Sequence, residues 1–580
     1  MKTEYGEKKI TAESIWKEYE KMLGFNESIQ LEDTVRVNEN FFIGKQWEGV
    51  ASNGLPTPQF NFLKRVTLFI VASVVSDHIK LKASPTPSRS GDNNIRRAAN
   101  VINSEFDLVF ERNKIANVIR EFMRNAAVDG DGATYTWWDP DVDAGDGVKG
   151  AIVTEIIDNT RVGFGNTADR RVQSQPYILI KRREMTNSLR KRAKKLGCKQ
   201  WEEIKEDTDE QYLDPYKDTG DKTTVILRLW KDDKTKTVWG CECVRGIVIR
   251  EPWDLGLKLY PITWLPWDYV QDNYHGQAMI TGLVPNQIYI NKLFAMSMIS
   301  LMATAYPKIV YDKTRIPRWD NGVGKAIGVA GGGVDNVARV LGPAQISPQI
   351  AQFIELTQEM TQSALGATSV ALGETRPDNT SAIIALQRAA ATPNEITKQN
   401  LYQSIEDLGA IYVDFMGEYY GKRKVEVMLE EEIDPALVQF ASAGLELTPE
   451  GKLLTEFDFS ALKDLPMQLK LDVGASAYWS EIASTQTLDN LLQQGHIDVT
   501  EYLERIPDGY ITDRQGLIKA INERRARQAT MAAQTIPGGT DTGGGDTGIT
   551  PEPPEQAEAR IPVLGGAGNG TLQRTLSNML

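Results

Sequence analysis

Read for its apolar positions, the chain begins as helices. Leu31, Val35, Asn38 and Phe42 recur at helical spacing and carry a stripe into Gly44. Gly44 is then a helix C-cap, in the left-handed conformation that a Cβ resists. Helices are also expected over Trp16 to Leu23, over the apolar run Val66 to Ile79, and from about Arg96 to Val128. In that last stretch Ile102, Phe106, Val109 and Phe110 share a side, continued by Ile115, Val118, Ile119 and Phe122. From Gly132 the period shortens. "ATYTWW", "AIVTEII", "YILIKR", "TTVILRLW", "TVWGCECV" and "GIVIRE" are β-branched and aromatic runs broken by Gly, Asp and Asn, as in a mixed sheet of short strands. A basic helix, "SLRKRAKKLG", interrupts them and ends at Gly197.

Beyond Pro266 helical spacing returns. "LVPNQIYINKLFAMSMISLMATAYP" has Pro285 near its start, where proline is tolerated, and Pro307 beyond its end. Strand-like Lys308 to Tyr311 and the glycine-rich "NGVGKAIGVAGGGVDN" follow, then a helix from about Pro348 to Leu365. "GATSVALGETRPDNTS" reads as a loop, and a further helix spans about Thr380 to Tyr420, kinked near Pro393. Its Leu401, Ile405, Leu408, Tyr412, Phe415 and Tyr419 alternate steps of four and three, the pattern of a face packed along another helix. "KVEVML" and "QLKLDV" are strand signals, Glu481 to Gln528 reads as helical, and the Gly-, Thr- and Pro-rich tail after Ile536 has too few apolar residues to order. The fold class is α+β.

Composition adjusts this picture little. The chain has 580 residues, 41% hydrophobic and 25% charged, enough for a large core and several domains. The amino terminus has no apolar core of the kind a secretory signal needs. The longest uncharged apolar run, Leu293 to Tyr306, is shorter than the roughly 18–20 residues that span a bilayer, and reads as a buried helix. A net charge of −13 argues against a protein that grips nucleic acid over its whole surface. It is compatible with a conduit that repels the DNA backbone and so avoids holding it.

Candidate chemistry is sparse. Gly44-Lys45 suggests a phosphate loop, but Glu39 stands where the first glycine belongs and Gln46 where a metal-binding hydroxyl belongs. Lys45 then stays in solvent, and Trp47 is expected to dock the helix end against the core. Asp139 to Gly147 resembles a calcium loop only in part, since Ala144 and Gly150 replace the required Gly and Glu, so an acidic turn between strands is favoured. Lys181 to Gly197 holds eight basic residues with acidic neighbours from Glu202 to Glu210, read as a solvated face or subunit contact ahead of a DNA patch. Cys241 and Cys243 alternate on a strand and lack a second pair, so they read as buried side chains rather than metal ligands. No nucleophile elbow, HExxH pair or His-Cys and His-Ser constellation is found, and no catalytic, cofactor or metal residue is assigned.

The order of elements resembles that of the portal proteins of tailed bacteriophages. "NFFIGKQW" followed by "FNFLKRVTLFIVASV" is similar to a helix end and the next helix of that family. "AAVDGDGATYTWWDPD" with "TEIIDNTRVGFGNTADRRVQSQPYILIKRREMTNSLRKRAKKLG" resembles its wing, "YHGQAMITGLVPNQIYINKLFAMSMI" its first stem helix, and "EIASTQTLDNLLQQGHIDVTEYLERIP" its crown. The resemblance implies a wing over 1–278, stem helices over 279–306 and 348–365, and between them a clip over 307–347. A tunnel loop over 366–381, the rest of the wing over 382–480, a crown over 481–530 and a low-complexity tail over 531–580 follow. It implies a non-enzymatic homo-dodecamer without cofactor or membrane, located at one capsid vertex of the virion and assembled in the host bacterial cytoplasm. The implied partners are the terminase large subunit, head-completion or adaptor proteins, major capsid and scaffold proteins, and the double-stranded DNA that passes through the channel. Phe294, Met298 and Leu301 would pack stem helices; Gly373, Glu374, Arg376, Asp378 and Asn379 would face the DNA. The alternative is a monomeric metal-dependent nuclease that works through carboxylates.

Overall fold

The computed structural model describes residues 10–49, 51–52, 54, 56–75, 78–89, 92–143, 149–207, 221–305, 309–320, 322, 326–331, 335, 337–340, 349–364, 394–427, 446–447, 453–464, 469–476, 488–506, 514, 516–522 and 524–525. The chain divides into two compact units, 1–481 and 482–580. Helix and sheet are both abundant, as an α+β class requires.

In the larger unit, α1 (Ala12–Ser28) opens on a capping box in which Thr11 and Ser14 satisfy each other's backbone N–H. α2 (Leu31–Ile43) ends at Gly44, whose φ of 100° is the left-handed C-cap expected. α3 (Phe62–Val74) leads into β1 (His78–Pro85). The long helix expected from Arg96 to Val128 is two helices, α4 (Asn93–Arg112) and α5 (Ile115–Asp129). They are separated because Lys114 adopts a φ of 52° and Asn113 turns its amide onto the neighbouring strand, donating to the Ile152 carbonyl and accepting from Thr154 N–H. Apolar periodicity continues across that break, which is why the sequence read as one helix.

The β-rich stretch forms two antiparallel sheets rather than one mixed sheet. Three strands, β2 (Asp131–Asp143), β3 (Lys149–Ile156) and β9 (Ile262–Pro266), order as β3-β2-β9, and the turn 144–148 lies outside the described residues. Five strands run in order from β4 (Val162–Phe164) through β5 (Ile178–Met185), β6 (Lys222–Lys231) and β7 (Val238–Val244) to β8 (Ile247–Asp254). α1 covers one face of the five strands through Ile15, Tyr19 and Met22, which meet Leu179, Ile226, Cys241 and Cys243. Glu18 clamps Arg228 at 2.7 and 3.2 Å across that contact. α6 (Thr186–Lys195) is the expected basic helix, closed at Gly197.

α7 (Val284–Ala305) and α8 (Gln349–Ala364) are joined through a short antiparallel ladder of β10 (Ile309–Tyr311) and β11 (Ala338–Val340). The two helices are antiparallel neighbours, since Asn286 near the start of α7 donates to Thr361 near the end of α8 at 3.1 Å. The kink expected near Pro393 lies outside the described residues, and α9 is Glu395–Tyr419. Leu401, Ile405, Leu408, Tyr412 and Phe415 are buried as their spacing demands, but they pack chiefly on β9, on β15 (Leu469–Ser476) and on the 3-10 segment Phe459–Asp464. The alternating apolar steps of four and three therefore met strands of two sheets and a 3-10 segment instead of a second long helix. Tyr412 OH reaches Thr154 Oγ1 at 2.7 Å inside this core. β15 pairs with β1, so the two ends of the larger unit close on each other. β12 (Lys422–Val427), β13 (Glu446–Leu447) and β14 (Leu453–Asp458) make a last sheet.

In the smaller unit, helix is present at 488–493, Val499–Arg505 and 516–522. Asp498 and Glu501 form a capping box at the second. The tail after Ile536 lies outside the described residues.

Candidate functional site at the root of the helix pair

The corner where α5 turns into β2 is where several elements meet. Gly130 has a φ of 106°, and a Cβ there would stand 2.8 Å from the Gly276 carbonyl oxygen, so both backbones approach only because the side chain is absent. The buried Asp131 carboxylate accepts from Gly276 N–H at 2.7 Å, His275 Nδ1 at 2.7 Å and Asn159 Nδ2 at 3.3 Å. The His275 ring lies against Tyr274, Trp264 and Phe25. From α2, Asn38 Nδ2 donates to Val128 O at 2.9 Å and to Thr281 Oγ1 at 2.8 Å. The segment 275–283 that leads into α7 is thus tied to the body by charge-assisted and amide bonds on both sides.

Arg124 grips Glu39 with both terminal nitrogens and stands 3.5 Å from Asp129. Burial, then the Glu39 charge, push the Asp129 carboxyl from 3.8 up to about 8, against the pull of Arg124 and with a further push from Asp158. The folded chain therefore keeps a proton that the unfolded chain releases near pH 4, and stability from this site is lost as pH rises from about 4 to about 8. D129N is expected to flatten that slope, read as Tm against pH; an unchanged slope would show that Asp129 does not carry it.

A second chain of buried amides fixes α7 itself. Asn291 Nδ2 donates to Gln46 Oε1 at 2.8 Å, and Gln287 Nε2 donates to Asn291 Oδ1 at 2.9 Å and to Phe60 O at 2.8 Å. Gln46, Gln287 and Asn291 are all buried. Asn61 serves two helices at once, capping α3 by accepting from Lys64 N–H and closing α2 by donating to the Phe41 and Phe42 carbonyls. In "FFIGKQW" the working residue is Gln46. Lys45 is exposed as expected, while Trp47 docks on the following loop, its indole N–H donating to Pro58 O at 2.8 Å, and not on the core.

Phe294, Met298 and Leu301 continue the face that holds Gln287 and Asn291, because the steps 287, 291, 294, 298, 301 alternate four and three. Phe294 is half-buried with its ring 4.4 Å from that of Phe60. Beyond Ala295 burial ends: Met298 is 41% and Leu301 59% exposed. On α8, Phe353, Leu356 and Met360 repeat such a stripe, at 52%, 46% and 63% exposure. Gly373, Glu374, Arg376, Asp378 and Asn379 lie outside the described residues. Sequence reasoning passed over Asp131, His275, Gln46, Gln287 and Asn291. The available signal was a pair of amides one turn apart on an apolar helix face.

Other candidates resolve into packing. Cys241 and Cys243 are fully buried, and burial pushes both thiols up, Cys241 to about 11, which holds them as inert thiols. Arg190 donates to Ile204 O, Arg192 pairs with Glu184 and Glu242, and Lys194 sits over the Trp201 ring, so much of the basic helix serves its own unit. Among the described residues no group of three or more His, Cys, Asp or Glu is placed to hold a metal, and no helix is long and apolar enough to cross a membrane.

The larger unit is an α+β body that carries two antiparallel helices with exposed apolar side chains, a surface of the kind that marks protein–protein contact. The chain belongs to the phage P22-like portal protein family, whose model matches residues 167–463, just over half of it. It is therefore a bacteriophage virion component of the head–tail connector, of a family whose role is structural. The matched span runs from the turn after β4 through α7, α8 and α9 to the 3-10 segment after β14. No curated protein matches the chain.

Proposed function

We propose that the chain assembles into a dodecameric ring at one capsid vertex, the channel through which a terminase motor packages double-stranded DNA and through which the DNA later leaves. In this reading α7 and α8 are the stem, β10 and β11 belong to the clip that meets the terminase large subunit and then head-completion proteins, and 366–381 is the tunnel loop facing DNA. Residues 1–278 and 382–480 form the wing, beside capsid and scaffold proteins, and 481–530 the crown. The observation that carries this is the apolar stripe on α7, exposed at Met298 and Leu301 beyond the half-buried Phe294, together with that on α8. Such surface on a lone helix pair costs free energy in water and is removed when copies pack side by side. The net charge of −13 favours passage of DNA over retention. Electron microscopy of the purified protein is expected to show rings with an axial hole. Compact monomers that cleave DNA when a divalent metal is added would overturn it in favour of the nuclease.

A further inference from the structure

The buried amides and the exposed stripe occupy one face of α7, and that coincidence has a mechanical consequence. Apolar packing at the root, through Ile290, Leu293 and Ala295, is non-directional and holds the helix down without fixing its rotation. Hydrogen bonds do fix it. Gln287 and Asn291, one turn apart, engage Phe60 O and Gln46 Oε1, both from the segment that joins α2 to α3, and a rotated helix would leave these buried groups unpaired. A buried amide left without its partner costs more than most alternative apolar packings recover. In a closed ring of identical copies, the angle between neighbours is the full turn divided by the number of copies, so the direction of the stripe sets which number closes.

We propose that Gln46, Gln287 and Asn291 are positioning residues that fix the azimuth of the Phe294, Met298 and Leu301 stripe, and thereby restrict the assembly to a single subunit number. The inference rests on the ring reading above. It parallels the way one buried asparagine selects the oligomeric state of a coiled coil at some cost in stability.

The test is Q46M/Q287M/N291L, which replaces all three buried amides by apolar side chains of similar size. It strands little backbone. Phe41 O, which Gln46 Nε2 reaches at 3.4 Å, still accepts from Gly44 N–H and Asn61 Nδ2, Phe60 O still accepts from Phe62 N–H, and the backbone group that loses its contact is Leu63 N–H, 3.4 Å from Gln287 Oε1. Its melting temperature is therefore expected to match or exceed that of the unaltered protein. Axial-view electron-microscopy classes are expected to change from one subunit number to several. A folded variant whose rings keep the single number would overturn the proposal. Q46N/N291Q exchanges the two lengths while retaining donor and acceptor, and is expected to melt like the unaltered protein and keep one class. If it melts normally but its rings spread over several numbers, packing sets the number and the amides do not. Absence of rings from the unaltered protein would instead remove the ring reading, a failure distinct from that of the lock.

Discussion

Asp131→Ala is expected to destabilise the larger unit by about 3–5 kcal/mol, the cost of removing one partner from a buried, hydrogen-bonded charged site. The carboxylate is almost fully buried and accepts from three donors, Gly276 N–H, His275 Nδ1 and Asn159 Nδ2. Alanine leaves all three facing a void, and the histidine ring, enclosed by Tyr274, Trp264 and Phe25, has no route to water. Its Nε2 is already buried without a hydrogen-bond partner among the described residues, so a second unpaired nitrogen finds no compensation. Asp131→Asn keeps one acceptor oxygen and is expected to cost less, about 1–2 kcal/mol. Urea unfolding followed by circular dichroism measures both. Equal small losses, below about 1 kcal/mol, would show that solvent reaches the corner. Because Gly276 hangs on this carboxylate and the segment into α7 begins there, proteolysis near 277–283 is expected to quicken in the alanine variant.

Which of these features the sequence carried follows from how local each one is. Gly44, Gly197 and the six strand runs were legible because a cap or an alternating pattern is decided within a few residues. The break at Asn113 and Lys114 was not, since the apolar period runs through it and its cause is a bond from Asn113 to Ile152, distant in sequence. The α9 stripe was read with the right residues and the wrong partner, because a stripe states which side is buried and not what buries it. The site divides in the same way. Phe294, Met298 and Leu301 were singled out as uncharged residues of the stem helix that the resemblance implies, and an uncharged run is visible without any distant partner. Gln46 lies 245 residues from Asn291, and nothing short-range marks either as the other's partner. The Gly44-Lys45 pair attracted notice for a phosphate motif, while the residue that matters stood beside it as a glutamine with no motif at all.

The exposed stripe yields the largest expected effect on assembly. Met298→Glu with Leu301→Glu is expected to leave each chain folded, since both side chains are exposed and surface exchanges change stability within about 0.5 kcal/mol. Ring formation is expected to fail. Each copy would lose about 1.5–3 kcal/mol of burial for each apolar side chain covered in the ring, and would gain charges that must be desolvated without a partner. Analytical ultracentrifugation is expected to show monomers where the unaltered protein sediments as a large particle. Repulsion in a chain already at −13 offers a competing cause, and M298K/L301K separates the two. Desolvation penalises a buried ammonium as it does a carboxylate, so the lysine pair is expected to block assembly equally. If only the glutamate pair blocks it, long-range charge governs association and should yield to added salt, because screening shortens to about 3 Å at 1 M. If neither blocks it, the stripe is not covered in the ring, and the face of α7 fixed by Gln287 and Asn291 points to solvent instead.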